Sequence, residues 1–543
     1  MTKLQDNSTY LKNDFKVLQE AHDARNKKIN KIEKLKRLRT PMSFYHDLKN
    51  LCKGKLENLK EEEEKYLLKC FGFFLKKDGT FMLRARLISG HLSATQAVKL
   101  GQISKKYANN YMDITTRCQI ELRFLKFENL YDVVVELDRV GITTFQTGID
   151  NFRAIVTSAF DGYSNDSRIN CIPIISSMTK VFLKNEKYIG TLPRKFNTGI
   201  LGTTTNDCNI YGQDCSFILS LKGEELGFNL YLGGKVGVQA SCANIFVKKE
   251  EVATVFTAVI ELFKTFGFRD NRNKNRLHFL LEAVGMDEFA KAIRAKSNLD
   301  LPSAGTLLVK NEFKLNNDGI YELNYNKSAV HFSIPSGILS GDDLVQAGEI
   351  ALEVDGFIKL SVEQSFYIVT KKDNINEVKN SDLYKRYESF RNIYFNNLVA
   401  CAGTATCSFA VIENKPDAIM MAKYLHETVP MDDGKIRLYW SACPKGCGLH
   451  GIADIGFEGC VAKDSDGNKC EGVRIYLGGK ATNEAKEARL IVKSVTIEKA
   501  KGIVKDLVVL YKNKRTEGES FESFDDRVLS KLSTQDIQEI LGV

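Results

Sequence analysis

The stretches "VACAGTATCSFA" (residues 399–410) and "SACPKGCGLHG" (residues 441–451) hold four cysteines in two close pairs. Cys401 pairs with Cys407, Cys443 pairs with Cys447, and 35 residues separate the two pairs. An iron–sulfur cube takes one protein thiolate for each of its four irons, so two such loops supply a full ligand set. The glycines and small residues beside the cysteines let the backbone wrap a bulky group. The pattern therefore predicts a [4Fe-4S] site.

These cysteines could instead bind a structural zinc ion or fill an apolar core. A structural zinc ion usually takes cysteine pairs separated by about two to four residues, and the spacing of Cys401 and Cys407 is wider. Free cysteines often fill apolar cores, but close pairs in glycine-rich loops are not typical of that role. The remaining alternative is a non-enzymatic module that holds a structural cube or a zinc ion. Such a module would show no Soret absorbance and no spectral change on adding anions.

Longer stretches of this chain resemble a known enzyme family. "NNLVACAGTATCSFA" from residue 396 and "SACPKGCGLHGIADIGFEG" from residue 441 are similar to the two cluster-binding stretches of siroheme-dependent nitrite and sulfite reductases. Further similar segments follow the family's order: "FMLRARLISGHLS" from residue 81, "DITTRCQIELR" from 113, "NFR" from 151, "LPRKFN" from 192 and "GFNLYLGGK" from 227. The resemblance spans about residues 65–520, and this combination of motifs is specific.

The resemblance implies two cofactors and a reaction. In this family the siroheme iron shares one cysteine sulfur with the [4Fe-4S] cube, and the motif match gives that role to Cys447. The substrate anion binds on the opposite face of the heme, beside side chains that match Arg84, Arg153, Lys195 and Asn197. The implied reaction is a six-electron reduction.

Siroheme carries eight carboxylates, so its pocket needs many cations and hydrogen-bond donors, because unpaired buried charge is costly. Arginine suits this role because its guanidinium group pairs with a carboxylate through two hydrogen bonds. Any single arginine could equally form a surface ion pair. The predicted siroheme contacts, besides the shared Cys447, are Arg86, Thr115, Arg117, Arg194, Asn229, Lys235 and Arg276.

Asn197 is the position that predicts the substrate. Sulfite reductases of the family tend to carry lysine there, and nitrite reductases tend to carry asparagine. Sulfite is a dianion near neutral pH and nitrite is a monoanion, so one fewer cation suits nitrite. Asp113 departs from the arginine that sulfite reductases often place at its position. We therefore expect reduction of nitrite to ammonium, with reduction of sulfite to sulfide as the alternative.

The chain also repeats itself at a nearly constant offset of 245 to 247 residues. Three pairs match in this register: Gly90 with Gly337, Thr115 with Ser361, and Tyr231 with Tyr476. Such matches predict two homologous halves related by a pseudo-two-fold axis. Shifting Cys401 and Cys443 by the same offset reaches positions beside Arg153 and Lys195. We therefore expect corresponding loops to face each other across a central cofactor, one pair holding the cluster and the other binding the anion.

These observations predict an α+β fold in which paired ferredoxin-like half-modules form one domain beside two cofactor-binding α/β domains. The expected boundaries are a helical extension at 1–64, the first half-module at 65–150, the siroheme and anion domain at 151–320, the second half-module at 321–395, and the [4Fe-4S]/siroheme domain with a C-terminal tail at 396–543. In the extension, Ile29, Ile32, Leu35 and Leu38 recur at three-residue steps among lysines, which predicts an amphipathic helix.

Composition narrows the partners and the compartment. The 543 residues are 43% hydrophobic, and no apolar run approaches the length of about 18 residues that a membrane span needs. Thirteen cysteines and a labile cluster favour a reducing compartment, the cytoplasm. The net charge of +9 suits an acidic electron donor such as ferredoxin better than nucleic acid. No nucleotide-binding fingerprint occurs, so the electrons come from a separate protein, with a flavoprotein subunit as the alternative to ferredoxin.

Overall fold

The structure is a computed structural model that describes residues 15–235, 238–312, 319–482, 484 and 486–543. Within these residues, 21 strands form four β-sheets, and helices cover the sheets. Two of the sheets, which we call the first and second paired sheets, are entirely antiparallel. The other two are named after a residue at their edge, the Arg153 sheet and the Cys401 sheet. The predicted mixture of helices and sheets is confirmed.

The two paired sheets exchange a strand with each other. The first contains, in spatial order, Phe73–Leu75, Phe81–Ala85, Ile120–Leu125, Tyr111–Ile114 and Ile338–Ser340. The second contains, in the same spatial order, Ile320–Leu323, Lys327–Phe332, Phe366–Lys371, Phe357–Leu360 and His91–Ser93. Each sheet therefore takes its last strand from the other half of the chain. This reciprocal pairing confirms the duplication.

The repeated motifs lie where the chain crosses between the paired sheets. Gly90 and Gly337 follow a turn and have positive φ angles of 65° and 68°. A Cβ atom on Gly337 would lie 2.7 Å from the carbonyl oxygen of Ile114, so the crossing strand needs glycine there. The next serine of each motif, Ser93 or Ser340, caps a helix through its side chain. The repeat thus encodes a crossing followed by a helix start.

The Arg153 and Cys401 sheets share one topology. The Arg153 sheet has the order Phe152–Val156, Phe196–Leu201, Cys215–Lys222, Glu225–Leu232 and Ser241–Lys248, with the short strand Thr306–Leu307 added beside Cys215–Lys222. The Cys401 sheet has the order Leu398–Ala400, Leu438–Ser441, Ile455–Lys463, Lys469–Leu477 and Arg489–Thr496. In both, the first three strands are parallel and the last two are antiparallel.

Three main apolar cores hold the sheets and helices together. One lies within the paired sheets, one behind the Arg153 sheet and one behind the Cys401 sheet. The α-helices are Lys16–Arg25, Lys31–Leu35, Pro41–Leu51, Leu68–Cys70, Ala94–Tyr107, Leu130–Asp138, Ile172–Phe182, Val252–Phe266, Leu277–Val284, Met286–Ser297, Gly341–Glu353, Ile375–Asn380, Asp382–Glu388, Lys415–Thr428, Ile497–Lys514, Phe521–Arg527 and Thr534–Leu541. Among the described residues, none of these helices has the length and apolar character to cross a bilayer.

The amphipathic helix expected in the N-terminal extension is much shorter than predicted. The helix spans only Lys31–Leu35, because the side chain of Asn30 accepts the backbone N–H groups of Ile32 and Glu33 and so begins the helix after Ile29. Leu35 is buried, but Leu38 lies beyond the helix and is 63% exposed. The three-residue repeat therefore does not mark one continuous apolar face.

Candidate functional site

A cavity of about 340 Å³ lies between the first paired sheet, the Arg153 sheet and the loops that follow the Cys401 sheet. Its wall contains all four motif cysteines and all four residues predicted to bind the anion. These eight are Cys401, Cys407, Cys443, Cys447, Arg84, Arg153, Lys195 and Asn197. Residues from both halves of the duplicated chain thus meet at one place.

The cysteine loops begin where two neighbouring parallel strands end. Cys401 directly follows the strand Leu398–Ala400, and Cys443 follows the strand Leu438–Ser441. The loops then pack closely against backbone: a Cβ atom on Gly403 would lie 1.7 Å from the carbonyl oxygen of Glu413, and one on Gly448 would lie 1.8 Å from that of Trp440. Only glycine fits such approaches, which accounts for the small residues in the motifs.

Hydrogen bonds converge on the sulfur of Cys401. The backbone N–H of Ala442 donates to this sulfur at 3.2 Å, and the Asn414 side-chain amide donates to it at 3.6 Å and to the Cys401 carbonyl oxygen at 2.6 Å. Burial, followed by the proximity of Cys447, Cys407 and Cys443, raises the pKa of the Cys401 thiol to about 12. The four thiols are therefore close enough to repel one another as thiolates, which a bound cationic iron group would relieve.

The four cysteines line the same cavity. A [4Fe-4S] cube takes one thiolate for each of its irons, so these side chains supply the ligand set that a cube requires.

Asn414 is a residue that the sequence analysis did not identify. It begins the helix Lys415–Thr428, and its backbone N–H donates to the Asp417 side chain at 2.8 Å. The segment "NKPD" carries the signal that could have located it. Pro416 lies in the first turn of this helix, where proline is tolerated, so it does not kink the helix.

The three predicted cations of the anion site are held in different ways. Arg153 donates to the backbone carbonyl oxygens of Asn151 and Ile149 at 3.3 and 3.1 Å. Arg84 donates to the carboxylate of Glu121 and to the Thr147 carbonyl oxygen. Burial, followed by repulsion from Arg276, lowers the pKa of Lys195 to about 7. At neutral pH this ammonium can therefore release a proton.

Asn197 lies between two guanidinium groups. With its side-chain oxygen facing them, it accepts hydrogen bonds from Arg117 at 3.0 Å and from Arg276 at 3.2 Å. Its backbone N–H donates to Asp214, which also forms a salt bridge with Arg276. Asn197 is 3% exposed. A lysine here would add a third positive charge beside two guanidinium groups.

The predicted siroheme contacts divide into two groups. Thr115, Arg117 and Arg276 line the cavity with Cys447, and Lys235 lines a smaller adjoining cavity. The residues that line neither cavity are Arg86, Arg194 and Asn229.

The structure explains why these three side chains are used elsewhere. Arg86 is 6% exposed and donates to four backbone carbonyl oxygens, those of Phe145, Gln146, Phe152 and Arg153. The amide of Asn229 bonds both backbone groups of Gly305, and Arg194 donates to the carbonyl oxygen of Arg272. That they contact a cofactor stays a prediction.

The predicted equivalence of the loops is also corrected. Thr198 pairs with Cys215 across two parallel strands of the Arg153 sheet, and Leu438 pairs with Ile455 across the equivalent strands of the Cys401 sheet. Thr198 therefore corresponds to Leu438 rather than to Cys443. Lys195 and Arg153 lie at the starts of their strands, whereas Cys401 and Cys443 follow the ends of theirs. Constant sequence offset failed here because the connecting segments of the two halves differ in length. The cavity thus joins strand starts of one sheet to strand ends of the other.

A chain of alternating charges runs along one wall of the cavity. Lys415 donates to Asp113 at 2.7 Å, Arg123 donates to both Asp113 and Glu121, and Glu121 accepts from Arg84. Burial disfavours ionisation of Asp113, but Lys415 and Arg123 hold its pKa at about 2. In the sequence, Asp113 stands out only as a departure from the arginine that sulfite reductases often carry. Lys415 lies 302 residues from Asp113, so no local pattern predicts this pairing.

Two family models match this chain. The model described as "Nitrite and sulphite reductase 4Fe-4S domain" matches residues 148–301 and 395–526. The model described as "Nitrite/Sulfite reductase ferredoxin-like half domain" matches residues 74–140. Together the matched segments contain the four cysteines and the four residues of the predicted anion site.

Similar proteins include two reductases and one solved structure. The chloroplastic ferredoxin–nitrite reductase of Spinacia oleracea is 28% identical over 506 residues, which cover 89% of this chain and 85% of the relative. The ferredoxin–nitrite reductase of Leptolyngbya laminosa is 28% identical over 503 residues, which cover 89% and 96%. The NirA protein of Mycobacterium tuberculosis is 24% identical and superposes with a TM-score of 0.86 over 94% of this chain and 98% of that one. This last comparison establishes likeness of fold.

Proposed function

Because the chain belongs to the nitrite and sulphite reductase family, we propose that it reduces nitrite to ammonium with electrons from a ferredoxin. The protein is an oxidoreductase whose cofactors are siroheme and a [4Fe-4S] cluster. One observation carries the proposal: the four cysteines and the four candidate anion-binding residues line the same cavity.

We assign the cluster to Cys401, Cys407, Cys443 and Cys447, and Cys447 would also hold the siroheme, as the resemblance implies. When bound, siroheme and the cluster would supply the electrons for reduction of the anion. Arg117 and Arg276, which line the same cavity, are proposed to pair with siroheme carboxylates. Asn414 and the Ala442 N–H would stabilise the thiolate of Cys401 through their hydrogen bonds to its sulfur.

The chain's own residues bind the anion and move protons. Reduction of nitrite to ammonium consumes six electrons and eight protons and releases two waters. Arg153, whose guanidinium group is fixed by two backbone carbonyls, holds the anion's oxygens without reorganising. Lys195, with a pKa of about 7, donates a proton from Nζ and regains it from solvent at neutral pH. Arg84 supplies further positive charge.

The environment of Asn197 supports nitrite over sulfite. Its neutral amide already accepts from Arg117 and Arg276, so this position adds hydrogen bonding without adding charge. A dianion gains more from an additional cation than a monoanion does. The site with asparagine is therefore better matched to nitrite.

The surface beside the cluster loops supports an acidic protein as the electron donor. Phe409 is 60% exposed, and the Lys445 ammonium lies over its ring. The net charge of +9 steers an acidic protein such as ferredoxin toward this surface. None of the thirteen cysteines forms a disulfide, which supports the cytoplasm as the compartment.

The test is a steady-state comparison of nitrite and sulfite with reduced methyl viologen, on the wild type and on Asn197→Lys. We expect the wild type to prefer nitrite. We expect Asn197→Lys to raise the ratio of kcat/KM for sulfite to that for nitrite about tenfold, because the added charge favours the dianion.

The matched control is Asn273→Lys, which adds the same charge at an exposed position of the short 3-10 helix Arg272–Lys274, outside the cavity. It should leave the ratio unchanged. A wild type that strongly prefers sulfite would contradict the substrate assignment while leaving the cofactor assignment intact. A colourless holoprotein, or one with stoichiometric zinc, would contradict the cofactor assignment.

A further inference from the structure

Glu121 places a negative charge in the wall of the cavity. It belongs to the strand Ile120–Leu125 and is 7% exposed. Its Oε1 accepts hydrogen bonds from Nε and Nη2 of Arg84 at 2.9 and 2.6 Å, and its Oε2 accepts from Nη2 of Arg123 at 2.6 Å. One carboxylate therefore bridges two guanidinium groups, one of which belongs to the anion site.

Arg84 differs in this respect from the other two cations of the anion site. The hydrogen bonds of Arg153 go to backbone carbonyls, which carry no net charge. Lys195 forms no salt bridge with a carboxylate in the described part of the chain. Glu121 thus neutralises one of the three positive charges that face the bound anion.

Arg123 has a second carboxylate of its own. Its Nε donates to Asp113 at 2.7 Å, and Asp113 also accepts from Lys415. Lys415, Asp113 and Arg123 together carry one net positive charge. Including Glu121 makes the net charge of this group zero, and including Arg84 as well returns it to one positive charge. Glu121 therefore affects the net charge of the whole cavity wall as well as its pair with Arg84.

We propose that Glu121 is a specificity-determining residue that disfavours dianions relative to monoanions by reducing the positive potential at the substrate. This inference rests on the proposed function, because it takes Arg84 to face the bound anion. The energy of a charge in a potential is proportional to that charge, so a dianion loses twice the binding free energy that a monoanion loses to Glu121. Glu121 and Asn197 then act in the same direction from opposite walls.

The test is the neutral variant Glu121→Gln, which keeps the shape of the side chain and an acceptor oxygen for one of its two guanidinium partners. The dissociation constants of nitrite and sulfite are measured by calorimetry on the holoenzyme at a pH where sulfite is dianionic. We expect nitrite to bind about threefold more tightly and sulfite about tenfold more tightly, because the fold change for the dianion is the square of that for the monoanion. The ratio of kcat/KM values should shift toward sulfite accordingly.

Two controls separate charge from structure. Glu121→Asp keeps the charge and should leave the sulfite-to-nitrite ratio within about twofold of wild type, whatever it does to the melting temperature. Glu136→Gln removes a carboxylate that pairs with Lys99 outside the cavity, and it should change neither dissociation constant. Equal factors for both anions in Glu121→Gln, or the same ratio shift in Glu121→Asp, would overturn the proposal.

A second neutral variant guards against misfolding. Glu121→Ser leaves room for water between the two guanidinium groups and should show the same ratio shift. If both neutral variants fail to fold while Glu121→Asp folds, the role of Glu121 is structural and the proposal is wrong. The shift in the sulfite-to-nitrite ratio is measured relative to wild type, so it does not depend on which anion the wild type prefers. A sulfite-preferring wild type would therefore contradict the proposed function alone.

Discussion

In both the Arg153 sheet and the Cys401 sheet, an aspartate and an arginine hold the start of the second strand. In the Cys401 sheet the arginine stands at the start of that strand, and in the Arg153 sheet it comes from a distant segment. In the Cys401 sheet, Asp454 accepts the backbone N–H and the guanidinium group of Arg437, which also donates to the Gly479 carbonyl oxygen. In the Arg153 sheet, Asp214 accepts the backbone N–H of the equivalent residue, Asn197. There the guanidinium group comes from the distant Arg276, which donates to the Gly234 carbonyl oxygen.

This difference shows how a duplicated scaffold can free one position for chemistry. Arg437 is 1% exposed, and its guanidinium group is committed to Asp454 and Glu522. Because Arg276 performs the equivalent structural role in the other half, the Asn197 side chain is free to face the cavity. The half that supplies the cysteines and the half that supplies the cations have thus diverged at matching positions.

The largest expected effect comes from removing a proposed ligand of the cluster in the Cys401 half. Cys447→Ser should lower turnover with nitrite by more than about 100-fold, the upper range for disturbing only outer partners of a metal ligand. The purified protein should also lose iron and visible absorbance, measured per mole of protein. Cys460→Ser changes a buried cysteine outside the cavity and should retain both. Full iron content in Cys447→Ser would exclude this cysteine as a ligand.

Removing a cation from the opposite wall should separate binding of the cofactors from catalysis. Arg153→Met should lower turnover about 100-fold, as the loss of other preorganised donors does, while iron content and absorbance stay at wild-type levels. The exposed Arg168 of the same half provides the control, and Arg168→Met should leave turnover unchanged. A colourless Arg153→Met protein would instead assign this residue to the cofactor pocket.

The two aspartates allow the comparison to be tested directly. Asp214→Asn and Asp454→Asn each break a buried ion pair and should lower the free energy of unfolding by about 3–5 kcal/mol, measured by denaturant titration. Only Asp214→Asn should also raise KM for nitrite, about tenfold, because it releases Arg276 and Asn197 beside the cavity. The exposed Asp466→Asn should change neither quantity. Equal KM values in both buried variants would show that the two contact sets are purely structural.

Local motifs located residues that line the cavity, but they did not reveal the long-range contacts of those residues. The four cysteines, Arg153 and Lys195 lie in short distinctive segments, and the structure brings them to one cavity. The duplication was visible as matched glycines at the strand crossings. Arg86 lay inside a well-matched motif, yet its guanidinium group is used by backbone carbonyls that no sequence pattern reveals.

Two residues with proposed or structural roles at the cavity could not be identified from the sequence, for the same reason. Glu121 and Lys415 gain their roles from partners 37 and 302 residues away along the chain. The Glu121–Arg84 pair depends on the register of two neighbouring strands, and the Lys415–Asp113 pair depends on how a distant helix packs against the sheet, so neither follows from a local pattern. Loop lengths also shifted the equivalence of the halves, so a constant offset placed the cysteines opposite the wrong residues.

The reciprocal strand exchange has a consequence for synthesis on the ribosome. The first paired sheet has four of its strands once residue 125 has emerged, but the fifth, Ile338–Ser340, is more than 200 residues further along. At about 5–20 residues per second, the strand Tyr111–Ile114 therefore waits roughly 10 to 40 s as an unpaired edge. Exposed edges invite pairing with other chains, so the newborn protein depends on a chaperone or on rapid docking of its second half to avoid aggregation.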